Sequence, residues 1–118
     1  MLDKTVLRKK SDFAGIYSTG KSVGERYVVL FSKSNELPYN RTAFLASKKV
    51  GKSVERNRAR RLMKESYRGI KENLAEGYDI IFVARKTIND LKCADVKQSV
   101  EAATKRAGLL KNFEKVKI

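Results

Sequence analysis

The sequence predicts a single α+β domain, a two-layer α/β sandwich in which three helices pack on a small, mostly antiparallel sheet. Its 118 residues suit one domain, because a chain of this length buries one sizeable core and is too short for two. Helical and strand periodicities alternate along it in the order helix, two or three strands, helix, strand, helix. A content of 42% apolar and 34% charged residues is typical of a folded but highly charged chain.

The first helix is predicted to begin at Ser11-Asp12 and to end at Gly20, since Ser and Asp favour helix starts and Gly favours helix ends. Helical spacing places three of its larger side chains on one face: Phe13, Ile16 and Tyr17. This face is therefore expected to lie against the rest of the domain.

Two strands are predicted next, over residues 26–32 and 41–49, and the polar loop around Pro38 suggests that they form an antiparallel pair. Apolar side chains fall on both faces of the first strand, with Val28 and Leu30 on one and Tyr27, Val29 and Phe31 on the other. One face should cover the core under a later, longer helix. The other either packs fully on the first helix or leaves a shallow aromatic groove beside it.

The longest helix is predicted from Ser53 to about Leu74, where Gly77 ends it. The nearly continuous apolar run Tyr78–Ala84 favours a strand buried on both faces. A last helix follows from apolar residues three and four apart: Val96, Val100, Ala103, Ala107 and Leu110. Residues 111–118 are expected to form a frayed tail of the domain 1–118.

Composition restricts the function. Lys and Arg number 27 against 13 Asp and Glu, so the net charge of +14 predicts an anionic partner. The absence of His excludes imidazole catalysis and His-ligated metal, and the single cysteine, Cys93, excludes an internal disulfide. We find no signal-peptide pattern and no apolar run long enough to cross a membrane, which predicts a cytoplasmic protein.

The long helix has two faces at 100° per residue. Its apolar face is formed by Ala59, Leu62, Met63, Ser66, Tyr67, Ile70 and Leu74. Its basic face is formed by Asn57, Arg60, Arg61, Lys64, Arg68 and Lys71. Residues 48–71 contain ten Lys or Arg and two Glu, so they carry +8 of the net charge.

A basic face can be no more than a solvated helix surface, but three features favour nucleic-acid contact. Cations crowd the first turns, where the helix dipole favours anions. A Ser53 cap would place Arg56 where a capping box needs Glu or Gln, so the helix start is expected to lack that stabilisation. Arg also predominates in residues 56–61, and its planar fork can hold phosphate through two hydrogen bonds.

These residues resemble a known signature. Ser47-Lys48-Lys49-Val50-Gly51, then Arg56-Asn57-Arg58 and Arg60-Arg61-Leu62, are similar to the motif of bacterial ribonuclease P protein components. The similarity continues in Asp12-Phe13 and in Asp79-Ile80-Ile81. The stretch Ala43-Phe44-Leu45-Ala46 departs from the family, which usually has Gly-x-Ser-Val there.

The resemblance implies a sandwich with a left-handed β-α-β crossover and a role in an endoribonuclease. The protein would be the subunit of a ribozyme that removes the 5′ leader of precursor tRNA. The RNA would carry out catalysis with Mg²⁺, and the protein alone would be neither catalytic nor a metal binder. Its partners would be the catalytic RNA and precursor tRNA, with no membrane and no small-molecule substrate.

Carried over by position, the resemblance also implies site residues. Residues facing RNA would be Lys48, Lys49, Lys52, Arg56, Asn57, Arg58, Arg60, Arg61, Lys64 and Arg68. Residues of the leader cleft would be Phe13, Tyr17, Arg26 and Phe31. The alternative is a ribosomal or general structured-RNA-binding protein without preference for precursor tRNA. A protein-only nuclease is disfavoured, because the chain has neither His nor a carboxylate cluster.

Overall fold

The computed structural model describes residues 3–90 and 93–110, which form three helices and a four-stranded sheet. The elements in chain order are α1 (Lys10–Thr19), β1 (Lys21–Gly24), β2 (Val28–Ser34), β3 (Arg41–Leu45), α2 (Ser53–Arg68), β4 (Tyr78–Ala84) and α3 (Cys93–Arg106). Short 3₁₀ helices lie at Lys71–Asn73 and Lys86–Asp90. The predicted α+β class is confirmed, and the predicted tail 111–118 lies outside the described residues.

The sheet has the strand order β1-β2-β4-β3. β1 pairs antiparallel with β2, β2 antiparallel with β4, and β3 parallel with β4, so the sheet is mostly antiparallel. The predicted antiparallel pairing of residues 26–32 with 41–49 is wrong, because β4 lies between β2 and β3. β4 is the most apolar strand and takes an inner position, where neighbours bond both its edges. β3 and β4 are parallel neighbours joined through helix α2, so the β3-α2-β4 connection is a crossover. The left-handedness of this crossover stays a prediction.

Helices α2 and α3 cover one face of the sheet. Their core includes Met63, Val96 and Val100, packed on Leu30 and Phe82 of the strands. Phe82 is fully buried, and its ring stacks on Phe44 with centroids 5.4 Å apart. The predicted direction of Tyr27 is wrong: it packs against this core, because it precedes β2 and does not follow the alternation of the strand.

Helix α1 lies on the opposite face, where it covers a smaller cluster. The buried members are Leu7, Ile16, Ala43 and Ile81, with Phe13, Phe31, Leu45 and Val83 only half-buried around them. The segment before α1 runs along the edge of β3, with Leu7 N–H donating to the Thr42 carbonyl at 2.9 Å. Part of this sheet face is therefore left open beside α1.

Gly20 ends α1, as predicted, and its missing side chain has a steric reason. A Cβ there would lie 2.5 Å from the carbonyl oxygen of Ile16 and 2.6 Å from that of Ser32. Since those contacts are shorter than any real Cβ contact, only glycine lets α1 end directly against β2. This close approach fixes the C-terminal end of α1 on the sheet.

Helix α2 ends at Arg68, earlier than the predicted Leu74, and Gly69 follows it. Ile70 and Leu74 are nevertheless buried, because the 3₁₀ turn after Gly69 continues the same apolar side into the core. The periodicity therefore identifies the buried residues correctly beyond the end of the helix.

The expectation that α2 starts without a capping box is also wrong in part. The N-cap is Lys52, one residue before Ser53, so Glu55 occupies the third helical position. Its carboxylate accepts the Lys52 backbone N–H at 2.6 Å. Gly51, at φ +149°, lies beneath that carboxylate, where a Cβ would be only 2.8 Å from it.

Candidate nucleic-acid interface

The apolar side of α2 is seated in the core, as its periodicity predicts. Ala59, Met63 and Ser66 are buried, and the Ser66 hydroxyl donates to the Leu62 carbonyl at 2.8 Å. Burial of these residues fixes the rotation of the helix, so the opposite side faces outward. Met63 alone, fully buried, contributes about 1.5–3 kcal/mol of hydrophobic stabilisation.

We call the outward side of α2, with the turn before it, the basic row. Its members are Lys48, Lys49, Lys52, Arg56, Asn57, Arg58, Arg60, Arg61, Lys64 and Arg68. Arg56, Arg58 and Arg60 are half-buried and the others are exposed. The structure thus places all ten residues of the predicted RNA-facing set along one helix and its entry turn.

In the part of the chain that the structure describes, the exposed cations of the basic row are little neutralised by acidic side chains. Arg68 pairs with Glu65 at 3.0 Å, but both side chains are exposed, so solvent screens the pair. Within residues 3–90 and 93–110, no ion pair involves the exposed cations Lys48, Lys49, Lys52, Arg61 and Lys64. Their charge is available to an anionic partner.

The first turns of α2 hold their side chains in place by local hydrogen bonds. Arg60 donates to the side-chain oxygen of Asn57, and Arg56 donates to the Ser53 hydroxyl at 3.3 Å. The Nε of Arg56 is buried and has no hydrogen-bond partner in the described part of the chain. The two hydrogen bonds made by Arg56 and Arg60 already restrict their side chains, so less side-chain freedom is lost when these guanidinium groups bind phosphate.

The second feature is an aromatic groove between α1 and the open face of the sheet, lined by Phe13, Tyr17 and Phe31. The Tyr17 ring lies 6.4 Å from that of Phe13 and meets the Phe31 ring edge-on at 4.9 Å. Tyr17 remains 46% exposed, and Ala43 belongs to the buried cluster on which Phe13 and Phe31 pack. The sequence left open a packed face or a groove, and the exposure of Tyr17 favours the groove.

The phenol of Tyr17 stays neutral at physiological pH. Partial burial raises its pKa above the ordinary value of 10. An uncharged ring offers its face to a base without repelling the phosphates of the same strand.

Arg26 lies apart from the aromatic groove. Its guanidinium is 5.5 Å from the centre of the Tyr27 ring, which packs on the core beneath α2 and α3. Arg26 also lines a hollow of about 400 Å³ together with Gln98 and Ala102 of α3. The structure therefore brings together three of the four predicted cleft residues and leaves out Arg26.

Sequence reasoning missed a polar network between the sheet and the first turn of α1. Arg41, the first residue of β3, binds Asp79 of β4 and Asp12 of α1. The available signal was Asp79 itself: a carboxylate inside the apolar run 78–84 needs a cation or strong donors if it is buried. The sequence alone does not show which of 27 Lys and Arg residues supplies that partner.

The carboxylates of the described residues do not cluster into a metal site. No group of three or more His, Cys, Asp or Glu side chains within residues 3–90 and 93–110 could together hold a metal ion. None of the helices in that part of the chain combines the length and the apolar character of a membrane span.

A comparison with known families agrees with the motif and the geometry. The profile of the family Ribonuclease P matches residues 1–108. The chain belongs to the ribonuclease P protein component family. The resemblance inferred from the Arg-rich helix is thereby confirmed, and this membership implies RNA binding and a role in tRNA processing.

Individual family members are similar over nearly the whole chain. The ribonuclease P protein component of Caldanaerobacter subterraneus subsp. tengcongensis is 41% identical over 94% of this chain and 96% of its own. That of Clostridioides difficile is 42% identical over 87% and 91%.

Solved structures of the family share the fold. The Staphylococcus aureus RNase P protein superposes with a TM-score of 0.83 and 30% identity, covering 92% of this chain and all of its own. The Thermotoga maritima RNase P protein gives 0.77 and 29%, over 85% and 94%.

Proposed function

We propose that this chain is the protein subunit of ribonuclease P and binds both the catalytic RNA and the 5′ leader of precursor tRNA. The observation that carries the proposal is the basic row, ten residues on one helix and its entry turn. Within residues 3–90 and 93–110, the only ion pair of its exposed cations joins Arg68 to Glu65. A helix that needed only to dock on the core would gain nothing from this arrangement. A structured RNA offers the dense phosphate charge that it fits.

In this proposal, the basic row contacts the catalytic RNA. Arg side chains hold phosphate oxygens through their forked N–H groups, and the lysines before α2 add point charges. Each phosphate contact releases condensed counterions, so the affinity falls as salt rises.

The aromatic groove holds the leader of precursor tRNA in the same proposal. The leader is single-stranded, so its bases are free to stack on Tyr17 and on the exposed parts of Phe13 and Phe31. Stacking accepts any base and contributes about 1–3 kcal/mol for each one. Since mature tRNA has no leader, this contact favours substrate over product.

The chain's part in the reaction is binding and orientation. Anchored on the catalytic RNA by α2 and on the leader by the groove, it holds the cleavage site of the precursor at the RNA active centre. Mg²⁺, bound mainly by the RNA subunit, would stabilise the charge that develops on the phosphate as the bond is cleaved. The clustered acid–base groups of a protein nuclease are not needed in this division of roles.

The test compares two double charge reversals. Arg61→Glu/Lys64→Glu replaces two exposed positive charges of the basic row by negative ones. Lys97→Glu/Lys105→Glu makes the same change of charge on α3. Binding of each variant to the catalytic RNA is measured at physiological salt. We expect the α2 variant to lose at least about 100-fold in affinity, because two attractive phosphate contacts become repulsive, while the α3 variant changes little. Equal losses in both variants would contradict a specific role for α2.

A second measurement separates the proposal from general RNA binding. The assembled holoenzyme is titrated with precursor tRNA, mature tRNA and a ribosomal RNA fragment of similar length. Preference for the precursor supports the proposal. Equal affinity for all three would identify the chain as a general structured-RNA binder.

A further inference from the structure

Helix α1 carries two rings of the aromatic groove but has little buried surface of its own. Ile16 is its one buried side chain, while Phe13 is half-buried and Tyr17 exposed. A helix of ten residues is marginal without tertiary contacts, so its position depends on what holds its ends. Gly20 fixes the C-terminal end against β2.

The N-terminal end is held by Arg41. Its Nε and one terminal nitrogen donate to the two carboxylate oxygens of Asp79 at 2.8 and 2.7 Å. The other terminal nitrogen lies 3.5 Å from the carboxylate of Asp12, in the first turn of α1. One planar guanidinium thus links two neighbouring strands to the helix above them.

Asp79 is a firm base for this link. It is only 6% exposed and also accepts the side-chain amide of Asn35 at 2.8 Å. A buried carboxylate with a forked Arg and an amide donor has little rotational freedom. The hydrogen bonds between Arg41 and Asp79 raise the pKa of Arg41, so the guanidinium keeps its charge at any physiological pH.

The anchor holds the same helix that carries the two rings. Asp12 directly precedes Phe13, and Tyr17 follows five residues later on the same helix. The next residue of β3, Thr42, holds the segment before α1 through its backbone, donating to Thr5 at 2.8 Å. Two successive residues of one strand therefore hold the segment before α1 and the first turn of α1 on the sheet.

We propose that Arg41 is a positioning residue for leader binding: held by Asp79, it fixes Asp12 and so sets where Phe13 and Tyr17 stand over the sheet. The inference rests on the proposed role of the groove. It adds a residue that touches neither RNA nor leader and acts through the placement of α1. Arg is required because three of its nitrogens are used at once, which a lysine ammonium on its single flexible stem does not reproduce.

The test uses the holoenzyme assembled with its catalytic RNA. Asp12→Asn keeps the size of the side chain and removes its charge. Glu25→Gln is the matched control, since it removes one carboxylate charge from the ion pair with Arg106, away from α1. For each variant, the affinities for precursor and mature tRNA are measured, together with the affinity for the catalytic RNA and the thermal midpoint.

We expect Asp12→Asn to lower the precursor-to-mature affinity ratio by about three- to tenfold, the effect of removing one charge-assisted interaction. Affinity for the catalytic RNA and the ratio of Glu25→Gln should be unchanged. Arg41→Lys should lower the ratio as Asp12→Asn does, and Asp12→Glu, which keeps the charge, should restore it.

A wild-type ratio in Asp12→Asn would overturn the inference, even with a lower thermal midpoint, because the ion pair would then be structural only. A wild-type holoenzyme that binds precursor and mature tRNA equally would overturn the proposed groove function and this inference with it. The two failures are distinguished by the wild-type ratio alone.

Discussion

Replacing Tyr17 by alanine separates the role of its ring in binding from its role in folding. The residue is 46% exposed, and its ring meets that of Phe31 edge-on, with centroids 4.9 Å apart. Such an aromatic pair contributes about 0.5–1.5 kcal/mol beyond buried area, so Tyr17→Ala should lower the free energy of unfolding only modestly. Loss of one stacked base costs about 1–3 kcal/mol, which is a factor of about 5 to 150 in affinity for the leader.

The assay measures dissociation constants of the holoenzyme for precursor and mature tRNA. Tyr17→Ala should weaken precursor binding by that factor and leave mature tRNA unchanged. Tyr17→Phe keeps the ring and is the matched control, expected to bind precursor like the wild type. Equal losses for precursor and mature tRNA, or equal effects of the two substitutions, would refute stacking on this ring.

Two further predictions concern the frame that carries the groove. Gly20→Ala should lower the free energy of unfolding by about 1–3 kcal/mol, because the new Cβ would meet two backbone carbonyl oxygens at 2.5 and 2.6 Å; an unchanged denaturation midpoint would show that α1 does not end against β2 as described. Phe82→Ala should lower the free energy of unfolding by about 3–5 kcal/mol, since it removes a fully buried ring stacked on Phe44 with centroids 5.4 Å apart. A loss below about 1 kcal/mol in urea unfolding would contradict the place of Phe82 in the core.

Much of the fold follows from local patterns. The run Tyr78–Ala84 is a strand with the predicted bounds, because few arrangements other than an inner strand bury so many consecutive apolar side chains. The two faces of α2 follow equally directly from helical spacing, and they also give the outward direction of the basic row. Residues whose role depends on one helix are therefore placed correctly from the sequence.

Features that depend on distant parts of the chain did not follow. The hairpin expected around Pro38 fails because β4, more than thirty residues further on, inserts between β2 and β3. The two carboxylates that pair with Arg41 lie 29 and 38 positions away in the sequence, and no periodicity links these positions to Arg41. Position in the motif places Arg26 in the cleft, yet its guanidinium lies over the Tyr27 ring, which packs on the core beneath α2 and α3. In each case tertiary packing decides what local spacing leaves open.

The central claim is that the exposed cations of α2 bind RNA phosphates directly. It is tested by the salt dependence of binding to the catalytic RNA, compared between the wild type and Arg61→Ala/Lys64→Ala. If both residues contact phosphate, the slope of log affinity against log salt should become shallower by about 1.4–1.8, or 0.7–0.9 for each of the two phosphates no longer neutralised. An unchanged slope with unchanged affinity would contradict the account, because the row would then be a solvated surface.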